Sequence, residues 1–174
     1  MKPYKELIPG MRILILVTLL LLTVSQNLQA QYNTAFGIRL GGTSGLTIKH
    51  FYKPTLAAEG IVGTFGNGFS LTGLIEKHLP VYDTEGLSFY YGGGIHLAFY
   101  NGRYSGNNFG REVDYRSGND VGIGINGIIG LEYHFPNNIP IVLTVDLKPF
   151  LEIGSGGYVS VASDPSIGIK FILR

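Results

Sequence analysis

Cysteine and tryptophan are both absent from the 174 residues. Without cysteine there is no disulfide framework, no thiolate metal site and no cysteine nucleophile. Charge is scarce as well: Asp, Glu, Lys and Arg make up 14% of the chain, against roughly 25% in an ordinary soluble domain. Thirteen basic and twelve acidic side chains leave a net charge of +1, so no global field draws the chain to nucleic acid. There is no phosphate loop, dinucleotide fingerprint or metalloprotease helix. The glycines of Gly92-Gly93-Gly94 and Gly122-x-Gly124 fall inside extended segments, not between a strand and a helix. What is abundant is glycine, at 26, with 11 tyrosines and 10 phenylalanines. The length suits one domain.

Long apolar runs are missing, with one short exception. Lys2, Lys5 and Arg12 precede Ile13 to Val24, an apolar run relieved only by Thr18 and Thr23. Ser25-Gln26-Asn27 and Leu28-Gln29-Ala30 follow. A basic start, a short apolar middle and a small residue before a polar one predict a secretory signal over 1–30, cut after Ala30. The run is too short for a spanning helix, which needs about 20 residues; an uncleaved anchor is the competing reading. Met11-Arg12, directly before the run, offers an alternative start. The mature domain is then 31–174, close to neutral, and any membrane residence must come from strands.

Beyond residue 31 the periodicity is two. Leu87, Phe89, Tyr91, Gly93, Ile95, Leu97 and Phe99 form one phase of the clearest segment, and Ser88, Tyr90, Gly92, Gly94, His96, Ala98 and Tyr100 the other. Val121 to Phe135 repeats the pattern. The same reading predicts strands near 34–40, 45–52, 56–65, 69–79, 141–152 and 166–173, eight in all, an even number that brings the termini to one side. Lys53-Pro54-Thr55, Pro80 to Gly86 and Pro136 to Pro140 are short turns on one rim. Gly41 to Ser44, Gly66 to Gly68, Asn101 to Asp120 and Gly154 to Pro165 lie on the other. Short turns on one side and the longest loops on the other predict a transmembrane barrel with the short side in the periplasm.

The charges sharpen the expectation. Arg39, Lys49, Glu76, Glu132, Asp146, Lys148, Glu152 and Lys170 all fall on the phase opposite the bulky apolar residues, and only Lys77, near a strand end, shares the apolar phase. The soluble alternative, a lipocalin-like carrier with the apolar phase inward, would have an exterior of glycine with few charges. Soluble surfaces are about 25–35% charged. Aromatics gather at strand ends: Tyr52, Phe89, Tyr133, Phe135 and Phe171 on the periplasmic side, Phe65, Phe69 and Phe99 on the other. Such clusters suit interfacial girdles.

Gly130-Leu131-Glu132-Tyr133-His134-Phe135 before a proline-asparagine turn, and the closing Ser166-Ile167-Gly168-Ile169-Lys170-Phe171, resemble segments of the small eight-stranded outer-membrane barrels of Gram-negative bacteria. These are the outer-membrane protein A transmembrane domain and its short relatives of the outer-membrane protein X type. The resemblance covers nearly all of 31–174 and implies an all-β, antiparallel up-and-down barrel in the outer membrane. It also implies contact with outer-membrane lipid and lipopolysaccharide, insertion by the barrel-assembly machinery and a monomeric state. The family usually ends on a terminal aromatic, whereas here Phe171 is followed by Ile172-Leu173-Arg174. No peptidoglycan-binding domain is expected after Arg174.

Candidate chemistry is sparse. Glu76-Lys77-His78 and Glu132-Tyr133-His134 repeat an E-x-H pattern that places each pair on the inward face. They could ligate a divalent metal, or join an interior network in which Arg39, Lys49, Lys148 and Lys170 balance Glu59, Glu76, Glu132, Asp146 and Glu152, with His96 nearby. The network is the favoured reading, with no metal and no cofactor. If Leu79 opposes Leu87, Ser70 falls opposite His96, and with Glu152 they would outline an acyl-transfer site; no G-x-S-x-G elbow accompanies them, and no enzyme is expected. Eight strands leave an interior just filled by side chains, so no conducting pore is expected either. Arg103, Arg111, Arg116, Glu112, Asp114 and Asp120, interleaved with Tyr104, Phe109 and Tyr115 in the 101–120 loop, form the candidate surface for an extracellular partner.

Overall fold

In a computed structural model the described residues are 32–66, 68–81, 84–101, 105–108, 111–114, 120–136, 139–157 and 159–173, with 105–108 and 111–114 described by backbone only. The expected signal segment, 1–30, lies outside them. Among the described residues there is no helix. Ten strands form: β1 (Thr34–Gly41), β2 (Ser44–Lys53), β3 (Leu56–Phe65), β4 (Gly68–Pro80), β5 (Leu87–Tyr100), β6 (Ser105–Asn108), β7 (Arg111–Asp114), β8 (Asp120–His134), β9 (Ile141–Gly154) and β10 (Val159–Leu173). Eight close into a barrel in the order β1-β10-β9-β8-β5-β4-β3-β2, every pair antiparallel, and β6 and β7 form a separate two-stranded sheet. The closing seam runs from Thr34↔Leu173 to Gly41↔Ser166. We call the end holding Thr34 and Leu173 the terminal rim.

The period-two pattern becomes inside and outside. Ile38, Ile48, Val62, Ile75, Ile95, Ile125, Val145 and Ile167 all point outward, Ile95 and Ile125 at 64% and 61% exposure. Inside lie Arg39, Lys49, Glu76, Glu132, Asp146, Lys148, Glu152 and Lys170, all buried. The apolar phase is therefore the exterior. β3 carries apolar residues on both faces, Ile61 and Phe65 inward and Val62 outward, which blurs its alternation.

The extent of one strand, the content of one loop and the facing of one aromatic differ from the sequence reading. The connection expected over 154–165 shrinks to 155–158, because β10 begins at Val159 and pairs with β9 from there onward. Pro165 masks this continuation in the sequence. It is tolerated because the last β1 pair is Gly41↔Ser166: beyond it the Pro165 carbonyl still accepts from Gly42 N at 3.2 Å, but the ladder on that side no longer calls for the N–H that proline lacks. The 101–120 loop contains the β6–β7 hairpin, with β7 lying close to β10. Phe65, expected in a girdle, points inward against Tyr100, ring centroids 5.1 Å apart, because it shares the phase of Glu59.

Two local features set the geometry. Gly86 has φ of 84°, and its carbonyl accepts from His134 N at 2.8 Å, holding the β4–β5 turn against β8. Pro149 lies inside β9, where the β8–β9 ladder skips Gly127 and Ile128 and then resumes in the same register.

Candidate functional site

The interior is an ion-pair network in three tiers, built by the pleat. Near the terminal rim, β2 brings Lys49 directly opposite Glu59 of β3, and Glu76 of β4 pairs with Ala57 beside it. Lys49 Nζ lies 2.7 Å from Glu76, 2.9 Å from Glu132 and 3.0 Å from Glu59. It also sits 4.3 Å from the centre of the Tyr90 ring. Lys170 adds a second ammonium 3.0 Å from Glu59, which accepts from the Thr47 hydroxyl as well. Tyr32 donates to Glu132 at 2.8 Å. Tyr32, Phe51, His78 and Tyr90 pack ring against ring beside the charges, edge-on at the first two contacts and stacked at the third, with centroids 5.0, 4.7 and 5.0 Å apart.

In the middle tier Arg39 donates to Asp146 at 2.7 Å and lies 3.4 Å from Asp164, which Lys148 approaches to 3.1 Å. Ser166 and Tyr90 each donate to Asp146 at 3.0 Å, and Asp164 accepts the Thr43 N–H at 2.8 Å. Toward the far rim His96 Nε2 meets Glu152 at 2.7 Å, Tyr100 donates to the same carboxylate, and Phe150 packs edge-on against the imidazole. Beside His96 a cavity with room for about one water molecule is lined by Ser70, Thr72 and Asn126, and the Thr72 hydroxyl and Asn126 amide are buried there without a protein partner.

Glycine makes this crowding possible. A Cβ on Gly124 would stand 2.3 Å from His96 Cε1, and one on Gly130 would stand 2.6 Å from Tyr90 Cζ. Each bulky side chain lies across a strand neighbour that has none. Close-packed interiors leave no slack to move aside.

No protein-family model matches this chain, and no curated protein matches it significantly.

Arg39, Lys49, Glu59, Glu76, His78, His96, Glu132, Asp146, Lys148, Glu152 and Lys170 are all buried in the interior. His134 is only half-buried and stacks obliquely near Tyr32, centroids 6.2 Å apart, outside the ion-pair network. The E-x-H pairs also separate. Glu76 and His78 do meet, at 3.2 Å, and Glu132 turns toward the same cluster, but Lys49 Nζ stands at its centre. The ammonium supplies the positive charge that a metal would bring.

The serine–histidine pairing is not formed as expected. Ser70 stands opposite Ala98, and His96 stands opposite Thr72, because Leu79 meets Phe89 and not Leu87. Such a two-residue offset keeps every side chain on its own face. His96 Nδ1 is buried without a partner while Nε2 is held by Glu152.

Of the loop candidates, Arg103, Tyr104, Phe109, Tyr115 and Arg116 lie outside the described residues, and Arg111 opens β7. Asp164 is the network member the sequence reading missed. Its signal was present: Ser160, Asp164, Ser166, Gly168 and Lys170 share one inward phase, continuous across the proline.

Proposed function

We propose that this chain is an integral outer-membrane β-barrel protein of a Gram-negative bacterium, with a structural or surface-interaction role and no conducting pore. The observation that carries the reading is the orientation of the two phases. Aliphatic side chains cover the outside of the closed barrel, and the charged ones are tied together inside. Water-soluble monomers rarely expose contiguous apolar patches beyond a few hundred Å², whereas a bilayer requires such a belt. On this reading the terminal rim faces the periplasm, the loops around β6 and β7 face outward, and lipid and lipopolysaccharide surround a monomer inserted by the assembly machinery.

The filled interior supports the non-conducting part of the proposal. Lys49, Glu76, Tyr90 and Glu152 are fully buried, and charges held in mutual ion pairs do not offer a hydrated path. A carrier of an apolar ligand would need the opposite lining. For a lipid-acting enzyme the histidine would need a hydroxyl to activate and a face open to lipid. His96 is directed inward onto Glu152 instead.

Membrane fractionation, with gel mobility compared before and after boiling, tests the location. Enrichment in the outer membrane with a heat-dependent shift supports it, and recovery in the soluble periplasm overturns it. Ile95→Lys gives a second, energetic test. At an outward position far from both ends of β5, lysine is expected to cost about 2–4 kcal/mol in a bilayer. On a water-facing surface the same change costs about 0.5 kcal/mol or less. Urea unfolding of the variant in vesicles separates the two.

A further inference from the structure

The outward belt thins where glycines pair across strands. Across β2 to β5 one row reads Ile48↔Gly60, Gly60↔Gly73 and Gly73↔Ile95, so two glycines lie side by side. The other outward pair, Gly93↔Gly127, is less open: a Cβ on Gly93 would stand 3.1 Å from the Asn126 backbone oxygen and one on Gly127 3.5 Å from Pro149 Cγ. A Cβ on Gly73 would meet nothing within 4 Å, and one on Gly60 would touch only Ile48, at 3.6 Å. Together with Ala58 they floor an apolar groove described by two overlapping volumes of about 530 and 570 Å³. Ile48, Val62, Leu71, Ile75 and Ile95 form its walls.

Toward the terminal rim the groove runs past His50 to the two lysines that stand on this face among the described residues. Leu56 pairs with Lys53 on one side and with Lys77 on the other, and both lysines are exposed. Lys77 makes no ion pair among the described residues, although it shares the lipid-facing phase. Tyr52 and Tyr91 are exposed beside the two lysines. From Gly73 to Lys77 is four residues of β4, about 13 Å at the rise of a strand. At a barrel strand tilt of about 35–45° this is about 10 Å of depth, within one leaflet's hydrocarbon of about 15 Å.

We propose that this face binds one anionic glycerophospholipid of the periplasmic leaflet, an acyl chain lying over Gly60 and Gly73 and the phosphate held between Lys53 and Lys77. The inference rests on the membrane reading above and deepens it. A lysine facing lipid is costly unless its charge is answered, and a phosphate oxygen is the group that answers it there. A second copy of the chain fits less well. A two-fold axis along the membrane normal would bring the lysines of both copies to the same depth and set like charges together.

The test uses the mature chain purified in mild detergent, stripped of lipid and examined by native mass spectrometry with phosphatidylglycerol or phosphatidylcholine added. One phosphatidylglycerol is expected per chain, preferred by about tenfold over phosphatidylcholine, whose choline ammonium offsets the phosphate charge and repels the two lysines. Gly73→Leu should abolish retention of both lipids, since the new side chain fills the groove without meeting protein. The double variant Lys53→Gln/Lys77→Gln should keep retention and lose the headgroup preference. Heat-shifted gel mobility must be unchanged in each variant. Equal retention of the two lipids by the unmodified chain, or retention unaffected by Gly73→Leu, overturns the site, as does a lipid-free dimer. Flotation with vesicles is measured in parallel. A chain that floats yet shows no preference loses only the lipid site, whereas one that fails to float refutes the membrane reading and the site together.

Discussion

Replacing Lys49 by methionine is expected to cost about 3–5 kcal/mol, as removal of one partner from a buried ion cluster generally does. The side chain is matched in length, so little cavity is created. What is lost is the one ammonium within 3.0 Å of Glu59, Glu76 and Glu132, each at most 4% exposed. Lys170 reaches Glu59 but does not replace Lys49 at the other two carboxylates. Domains are stable by only about 5–15 kcal/mol, so the urea midpoint of the folded, fast-migrating band should fall steeply. Adding Glu76→Gln and Glu132→Gln to Lys49→Met should restore part of the loss, because the orphaned charges are then gone. If Lys49→Met alone shifts stability by less than about 1 kcal/mol, below the buried-pair range, the lumen is hydrated and the network is not the core described here.

Gly130→Val is expected to destabilise by about 3 kcal/mol, at the upper end of overpacking costs. Valine favours strands, so backbone propensity would predict the opposite sign. The clash decides: a Cβ there lies 2.6 Å from Tyr90 Cζ and 2.7 Å from the Val145 carbonyl oxygen. The tyrosine can rotate away only by giving up its hydrogen bond to Asp146, its stacking on His78 and its contact with Lys49. The Val145 oxygen belongs to the β8–β9 ladder and has less freedom to move. A double-mutant cycle with Tyr90→Ala checks the cause. The valine should cost clearly less in the Tyr90→Ala background, and an unchanged cost would assign the effect to the backbone contact instead.

These two results bear on the same property. The barrel is held open by large polar side chains wedged across glycines, and held together by the charges at their tips. Such an interior cannot be rearranged one residue at a time. It leaves the outer face and the far-rim loops as the surfaces free to differ, and the groove over Gly60 and Gly73 is the feature of that outer face with a defined shape.

Much of this was legible in the sequence, for a local reason. A strand's pleat ties each residue to one face through its own neighbours, so alternation alone predicted the eight barrel strands and the inward placement of Arg39, Lys49, Asp146, Lys148 and Lys170. Proline and glycine marked the turns because φ restriction is also local. The tertiary structure decided what passes between strands. It determined that Lys49 serves three carboxylates and not the adjacent one alone, that Ser70 misses His96 by two residues, and that Gly60 lies beside Gly73. It also revealed Asp164, whose strand continues past Pro165 through its unbroken pairing with β9. Sliding one strand by two residues preserves every inside and outside assignment, so alternation carries no information about register. Register comes from the turns and from barrel closure, where all eight offsets must agree at once.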